Sequence, residues 1–157
     1  MYKTFNVDIN EIEYVLENLS DLTRFEVESA FGVDYKKEIL AGINCAKEKQ
    51  LIKLNATNET VGVFGLIEES KDVAGIFFLP TKNLCNGNMI KFLRVSKCVI
   101  EEWLKKYKLL LDDCFVENKK IVKWLHFLGF KVCPEDKNGK IRTFYKGNLQ
   151  ARCNDDK

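Results

Sequence analysis

The sequence predicts a single domain of mixed α/β (α+β) class: helices first, then three strands, a long helix, a strand, a helix and a hairpin. Three observations lead there. Residues 8–46 carry apolar side chains at helical spacing. Between Leu51 and Leu79 the pattern changes to short runs rich in β-branched and aromatic residues, separated by turn formers. Beyond Met89, helical and extended runs alternate.

Each element has its own signal. Residues 1–7 are expected to form a short strand. Asp8 precedes I-N-E-I-E-Y-V-L-E-N-L, in which Ile9, Ile12, Val15, Leu16 and Leu19 share one face; its carboxylate can accept from the first turn. Ser20 starts S-D-L-T-R-F-E-V-E-S-A-F-G, with an expected inner stripe of Leu22, Phe25 and Ser29 and a stop at Gly32. Residues 34–46 read as a third helix. L-I-K-L-N, V-G-V-F-G-L-I-E and V-A-G-I-F-F-L are expected to form an antiparallel meander, because A-T-N-E-T and E-S-K-D between them suit turns. A polar loop, T-K-N-L-C-N-G-N, follows Pro80. A helix is then expected from Met89 to Tyr107, with Ile90, Leu93, Cys98, Ile100 and Leu104 on its apolar side.

L-L-L-D-D-C-F-V-E reads as an interior strand with both faces covered. Asn118 opens the helix K-K-I-V-K-W-L-H-F-L. An Asn at a helix start can accept from an unsatisfied N–H, and Gly129 can take the left-handed conformation that ends a helix. Ile121, Val122, Trp124, Leu125 and Leu128 form its apolar face, and Phe130 returns to the core. The last run reads as a hairpin turning at Asn138-Gly139. Residues 1–147 are expected to form the domain, and residues 148–157 a polar, frayed tail.

Composition excludes several function classes. The chain has 157 residues, which suits one domain. With 25 basic and 23 acidic side chains spread along it, nucleic acid is not an expected partner. No apolar run is long enough for a membrane span, and the N-terminus lacks a signal-peptide core. A cytoplasmic protein is expected, so the six cysteines are not read as disulfides. No C-x-x-C pair occurs and His126 is the only histidine, so no metal site is expected. Cys98 and Cys114 read as buried small hydrophobes, and Cys85 as a loop residue open to solvent.

The order of elements, with Asn118 closing a strand and Gly129-Phe130 closing the next helix, resembles the GNAT acyltransferase superfamily. That resemblance implies a mostly antiparallel mixed sheet flanked by helices. It also implies fourth and fifth strands that splay apart to admit the pantetheine arm of acetyl-CoA. Several stretches in order also resemble internal virion or assembly proteins of short-tailed phages. They are L-E-N-L-S-D-L-T-R-F-E-V-E-S-A-F-G, V-G-V-F-G-L, I-F-F-L-P-T, F-L-R-V-S-K and V-E-N-K-K-I-V-K-W-L-H-F-L-G-F, together spanning about residues 9–132. Glu26, Gly65, Thr81, Arg94, Asn118, Gly129 and Phe130 are its best-marked positions.

From this likeness the cofactor-site candidates are Leu79, Thr81, Lys82, Gly87, Asn88 and Asn118. Glu26 and Asn118 are the catalytic candidates, Glu26 because the first helices of such proteins commonly line the acceptor site. Two departures stand out. The phosphate loop of the superfamily reads Q/R-x-x-G-x-G/A, its glycines letting backbone N–H groups approach the pyrophosphate at a helix N-terminus. Here one register puts Lys82, Cys85 and Gly87 on that pattern and another puts Asn83, Asn86 and Asn88 there; neither supplies both small residues.

Leu125 also stands where many active members carry a tyrosine that protonates the leaving thiolate, which a leucine cannot do. His126 lies roughly 100° further around the helix. Tyr107 and Tyr145 are substitutes only if the fold brings them to the cleft, and Glu68 and Glu69 read as solvated carboxylates. Two readings follow. One is a catalytically degenerate acetyltransferase-like protein of a phage virion or its assembly, contacting phage structural proteins or a host protein. It would reside in the host cytoplasm during infection, with incorporation into the virion left open. The alternative is an active acetyl-CoA-dependent N-acetyltransferase acting on a protein or small amine; acetyl-CoA is the one cofactor the resemblance brings in.

Overall fold

The computed structural model describes residues 2–5, 7–134 and 139–153. The chain groups into two compact units, Met1–Ile67 with Phe77–Phe92, and Glu68–Ile76 with Leu93–Lys157. Two strands and one long helix each contribute residues to both.

In the first unit, β1 (Tyr2–Phe5) and β2 (Glu48–Leu54) pair antiparallel, as do β2 and β3 (Thr60–Glu68). β4 (Val73–Pro80) lies beside β3 in the strand order. Three helices precede the meander: α1 (Ile9–Glu17), α2 (Asp21–Phe31) and α3 (Tyr35–Cys45), with a 3-10 turn over Gly32–Asp34. The core joins Ile12, Val15, Leu16 and Leu19 to Val27, Ile43, Leu51, Val63 and Leu79. On the other face Phe78 stacks on Phe92 at 4.5 Å and meets Phe64 edge-on at 6.2 Å. Such pairs add about 0.5–1.5 kcal/mol beyond the area they bury. Gly65 has a packing reason: a Cβ there would sit 2.3 Å from the Phe77 ring and 2.9 Å from the Glu48 carbonyl oxygen.

Several expectations hold here and some do not. Asp8 caps α1, its Oδ1 accepting from the Asn10 N–H at 3.3 Å. Ile9, assigned to the inner face, is exposed. The inner stripe of α2 is Thr23 and Val27, whereas Leu22, Phe25 and Ser29 face solvent. The reason lies in the short link before α2. Ser20 donates its N–H to the Pro80 carbonyl and its hydroxyl to Thr23 Oγ1 (2.9 Å), which turns the Thr23 side inward.

In the second unit, Val73–Gly75 of β4 pair parallel with Leu109–Leu111 of β5 (Leu109–Phe115). The parallel ladder covers only these three residues of each strand. β5 pairs antiparallel along its whole length with β7 (Ile141–Gly147), and β7 pairs with β6 (Lys131–Val132). Among the described residues the strand order is therefore β1-β2-β3-β4 in the first unit and β4-β5-β7-β6 in the second. The hairpin forms as expected, but Asn138 of its turn lies outside the described residues.

α4 (Asn86–Lys106) begins three residues earlier than expected, so Gly87 and Asn88 belong to its first turn rather than to a loop. Its buried positions are Phe92, Ser96, Ile100 and Trp103, while Ile90 and Cys98 are exposed, against expectation. Cys114 is buried and Cys85 exposed, as expected. α5 (Lys119–Phe127) buries Ile121, Trp124 and Leu125. The tail is not frayed as far as Cys153: Gln150–Cys153 form a helix, α6, and Ala151 is buried with Val73, Leu109 and Leu111.

Candidate functional site

The residues after β4 decide whether a phosphate could be held there. Thr81 is fully buried. Its N–H donates to the Val61 carbonyl (2.8 Å), and its hydroxyl donates to the Thr60 carbonyl (2.7 Å) and accepts from the Asn83 N–H (3.3 Å). The Lys82 N–H donates to the Asn18 carbonyl (3.0 Å) and the Leu84 N–H to the Thr81 carbonyl (3.1 Å). The Asn83 amide donates to the Thr60 carbonyl (3.0 Å) and the Tyr14 hydroxyl (3.2 Å).

Asn88 closes the set. Its Oδ1 accepts from the Cys85 N–H at 3.0 Å, its Nδ2 donates to the Asn83 carbonyl at 3.1 Å, and its own N–H donates to the Cys85 carbonyl at 3.1 Å. With Cys85 preceding the first helical residue, this is the backward half of a capping box, in which the third helical residue satisfies the N–H before the helix. The backbone N–H groups of residues 81–85 and 88 are thus all donated within the chain. A pyrophosphate needs several convergent N–H groups at a helix start; these six are not offered to a ligand as folded, and the N–H groups of Asn86 and Gly87 in the first turn of α4 are not among them. Lys82 stands 4.0 Å from Asp21, both side chains mostly in solvent, so the pair contributes little. Leu79 lies in the apolar core of the first unit. Glu26 is half-buried on α2 and already engaged within the chain.

Asn118 and Leu125 belong to the second unit. Asn118 is nearly fully buried at the start of α5 and its carbonyl accepts from the Val122 N–H (3.0 Å), but its side chain makes no capping bond. The expected side-chain cap is therefore absent; the backbone at φ −76°, ψ 75° enters the helix without it. Leu125 is wholly buried and His126 exposed, so the one imidazole points away from the leucine's side of the helix. Tyr107 is not a spare acid: its hydroxyl donates to Glu68 Oε2 at 2.5 Å, at the end of α4 remote along the chain from the loop at residues 81–88. Glu68 is accordingly partnered rather than merely solvated. Tyr145 packs against the cluster around Val73, Leu109 and Leu111.

The sequence drew attention to Asn88 as a misfit to a glycine pattern and as a cofactor-site candidate, and its spacing from Cys85 is the signal that could have marked it as a residue capping the start of α4. Among the described residues no group of three or more His, Cys, Asp or Glu side chains is placed to hold a metal ion. Nor is any helix there long and apolar enough to cross a membrane.

No protein-family model matches the chain. No curated protein matches it either. Solved structures do. An acetyltransferase of the GNAT family from Bacillus anthracis aligns over 96% of this chain and 95% of its own, with 14% identity and a TM-score of 0.65. An acetyltransferase from Agrobacterium tumefaciens aligns over 94% and 91%, with 9% identity and a TM-score of 0.69. The N-acetyltransferase PseH of Campylobacter jejuni, solved in complex with acetyl coenzyme A, aligns over 94% and 99%, with 18% identity and a TM-score of 0.56. The chain has the GNAT acetyltransferase fold.

Proposed function

We propose that this chain is an acetyltransferase-like protein that has left acyl transfer behind and works through contacts with other proteins, in a phage particle or during its assembly. One observation carries the reading: the N–H groups of residues 81–85 and 88 are spent within the chain, the Asn88 Oδ1 taking that of Cys85. Leu125 adds to it, since no hydroxyl stands seven residues after Asn118. The phage setting rests on the ordered likeness across about residues 9–132.

The test is thermal unfolding with and without acetyl-CoA. A ligand at 100 times its dissociation constant adds about 2.7 kcal/mol when it binds only the folded state. The expected result is an unchanged midpoint, with no heat of binding by calorimetry. A midpoint rise together with stoichiometric binding would overturn it.

One observation favours a second reading, an acyl-CoA-dependent N-acyltransferase: the β4–β5 ladder ends at Gly75 and Leu111, which leaves later strand backbone outside that ladder. In that case an amine would attack the thioester carbonyl, a nearby carboxylate or water would take its proton, and the thiolate would leave. Acetyl transfer to any tested amine, lost when Asn118 is replaced by alanine, would support this second reading.

A further inference from the structure

Two helices of this chain carry outward faces of opposite charge and similar layout. On α2, Asp21, Leu22, Phe25 and Glu28 are exposed and fall within an arc of about 120° around the helix axis. Arg24 is the only basic residue from Ile9 to Phe31, against Glu11, Glu13, Glu17, Asp21, Glu26 and Glu28. On α5, Lys119, Lys120, Lys123, His126 and Phe127 are exposed and fall within the same width of arc. The α5 face holds no acidic side chain, and none of its three lysines forms an ion pair among the described residues.

Neither face is explained by the stability of its own helix. Cations in a first turn oppose the helix dipole, yet Lys119 and Lys120 occupy that turn with no acidic residue in it; Glu117 stands just before it. Phe127 is 51% exposed on the basic face, and Phe25 is 59% exposed on the acidic one. Each face therefore offers a large apolar side chain set among charges mainly of one sign, and the signs are opposite; on the acidic face Lys82 stands 4.0 Å from Asp21.

We propose that the α5 face of one copy docks on the α2 face of a second copy. Lys119, Lys120 and Lys123 would meet Asp21 and Glu28, and Phe127 would pack against Leu22 and Phe25. Made once per pair, the contact is heterologous and repeats into a closed ring or an open chain; made twice and reciprocally, it closes a two-fold dimer. Two short helices bury less than a standard interface, so the association should be weak and salt-dependent. This extends the contact reading above by naming one partner, and the acetyl-CoA titration tests that reading separately.

Sedimentation velocity on the purified chain tests the inference. Wild type should associate as concentration rises at low salt and dissociate near 1 M salt, where charges are screened beyond about 3 Å. Lys119→Glu with Lys123→Glu should weaken association at least about tenfold, as should Asp21→Lys with Glu28→Lys. Mixing the two double variants should restore it, because each then presents the complement of the other; restoration also shows that both are folded. A wild type that stays monomeric at low salt overturns the proposal, even if it binds nucleic acid or another protein. So does association that survives either double substitution, or a mixture that fails to reassociate.

Discussion

Asn88 ties the start of α4 to the residues before it. A glycine there would leave the Cys85 N–H without its side-chain acceptor; the asparagine supplies Oδ1 to that N–H and Nδ2 to the Asn83 carbonyl. Asn88→Ala should therefore cost about 1–2 kcal/mol in urea unfolding. Hydrogen exchange at the Cys85 amide should quicken in the same variant. Unchanged stability with unchanged protection would mean the two bonds are not formed in solution. The position was visible in the sequence as a departure from a pattern. The consequence was not, because it depends on α4 starting at Asn86, three residues earlier than its apolar pattern suggests.

Among the elements, α5 is the one whose ends were best written in its own residues. The Phe130 N–H donates to the Leu125 carbonyl and the Gly129 N–H to the His126 carbonyl, each at 3.0 Å, which together close the helix in a Schellman motif. Gly129 has φ +85°, and the Lys146 ammonium donates to the Leu128 carbonyl at the negative end of the helix. Gly129→Ala should cost about 1–2 kcal/mol, the penalty of a left-handed alanine, and Gly129→Asn distinctly less. Equal costs for the two variants, by denaturant unfolding, would refute the backbone explanation.

The opening of α5 was read less well. Its Asn is in place but does not cap, since its nearly buried side chain is not turned to the first turn. α2 was read worse still. Its composition permits either the Leu22–Phe25 side or the Thr23–Val27 side to face inward, and only the Ser20–Thr23 hydrogen bond and the Pro80 carbonyl choose between them.

For the whole molecule, likeness to solved acetyltransferases over at least nine-tenths of the chain establishes the fold at 9–18% identity. It leaves the chemistry to the site, since one fold hosts many functions. The second unit extends further along the chain than the sequence suggested. Ala151 is 4% exposed and shares a buried cluster with Val73, Leu109 and Leu111, with Leu149 packed against it. Deleting residues 149–157 should then destabilise the protein by about 1–3 kcal/mol through newly exposed apolar area. A tail that only frays in water would cost nothing measurable in the same unfolding experiment.

The sequence alone determined the order of the main elements as far as the hairpin, the Asp8 cap, the Gly129 stop and a leucine at position 125. These are local properties: apolar spacing and backbone preference act within a few residues. Tertiary structure alone decided which face α2 buries, that Asn118 opens a helix without capping it, and that residues 81–85 donate their N–H groups within the chain. Those outcomes are contests for a limited number of hydrogen-bond partners and for buried space. The winners, the carbonyls of Asn18, Thr60, Val61 and Pro80, come from residues that only folding brings near.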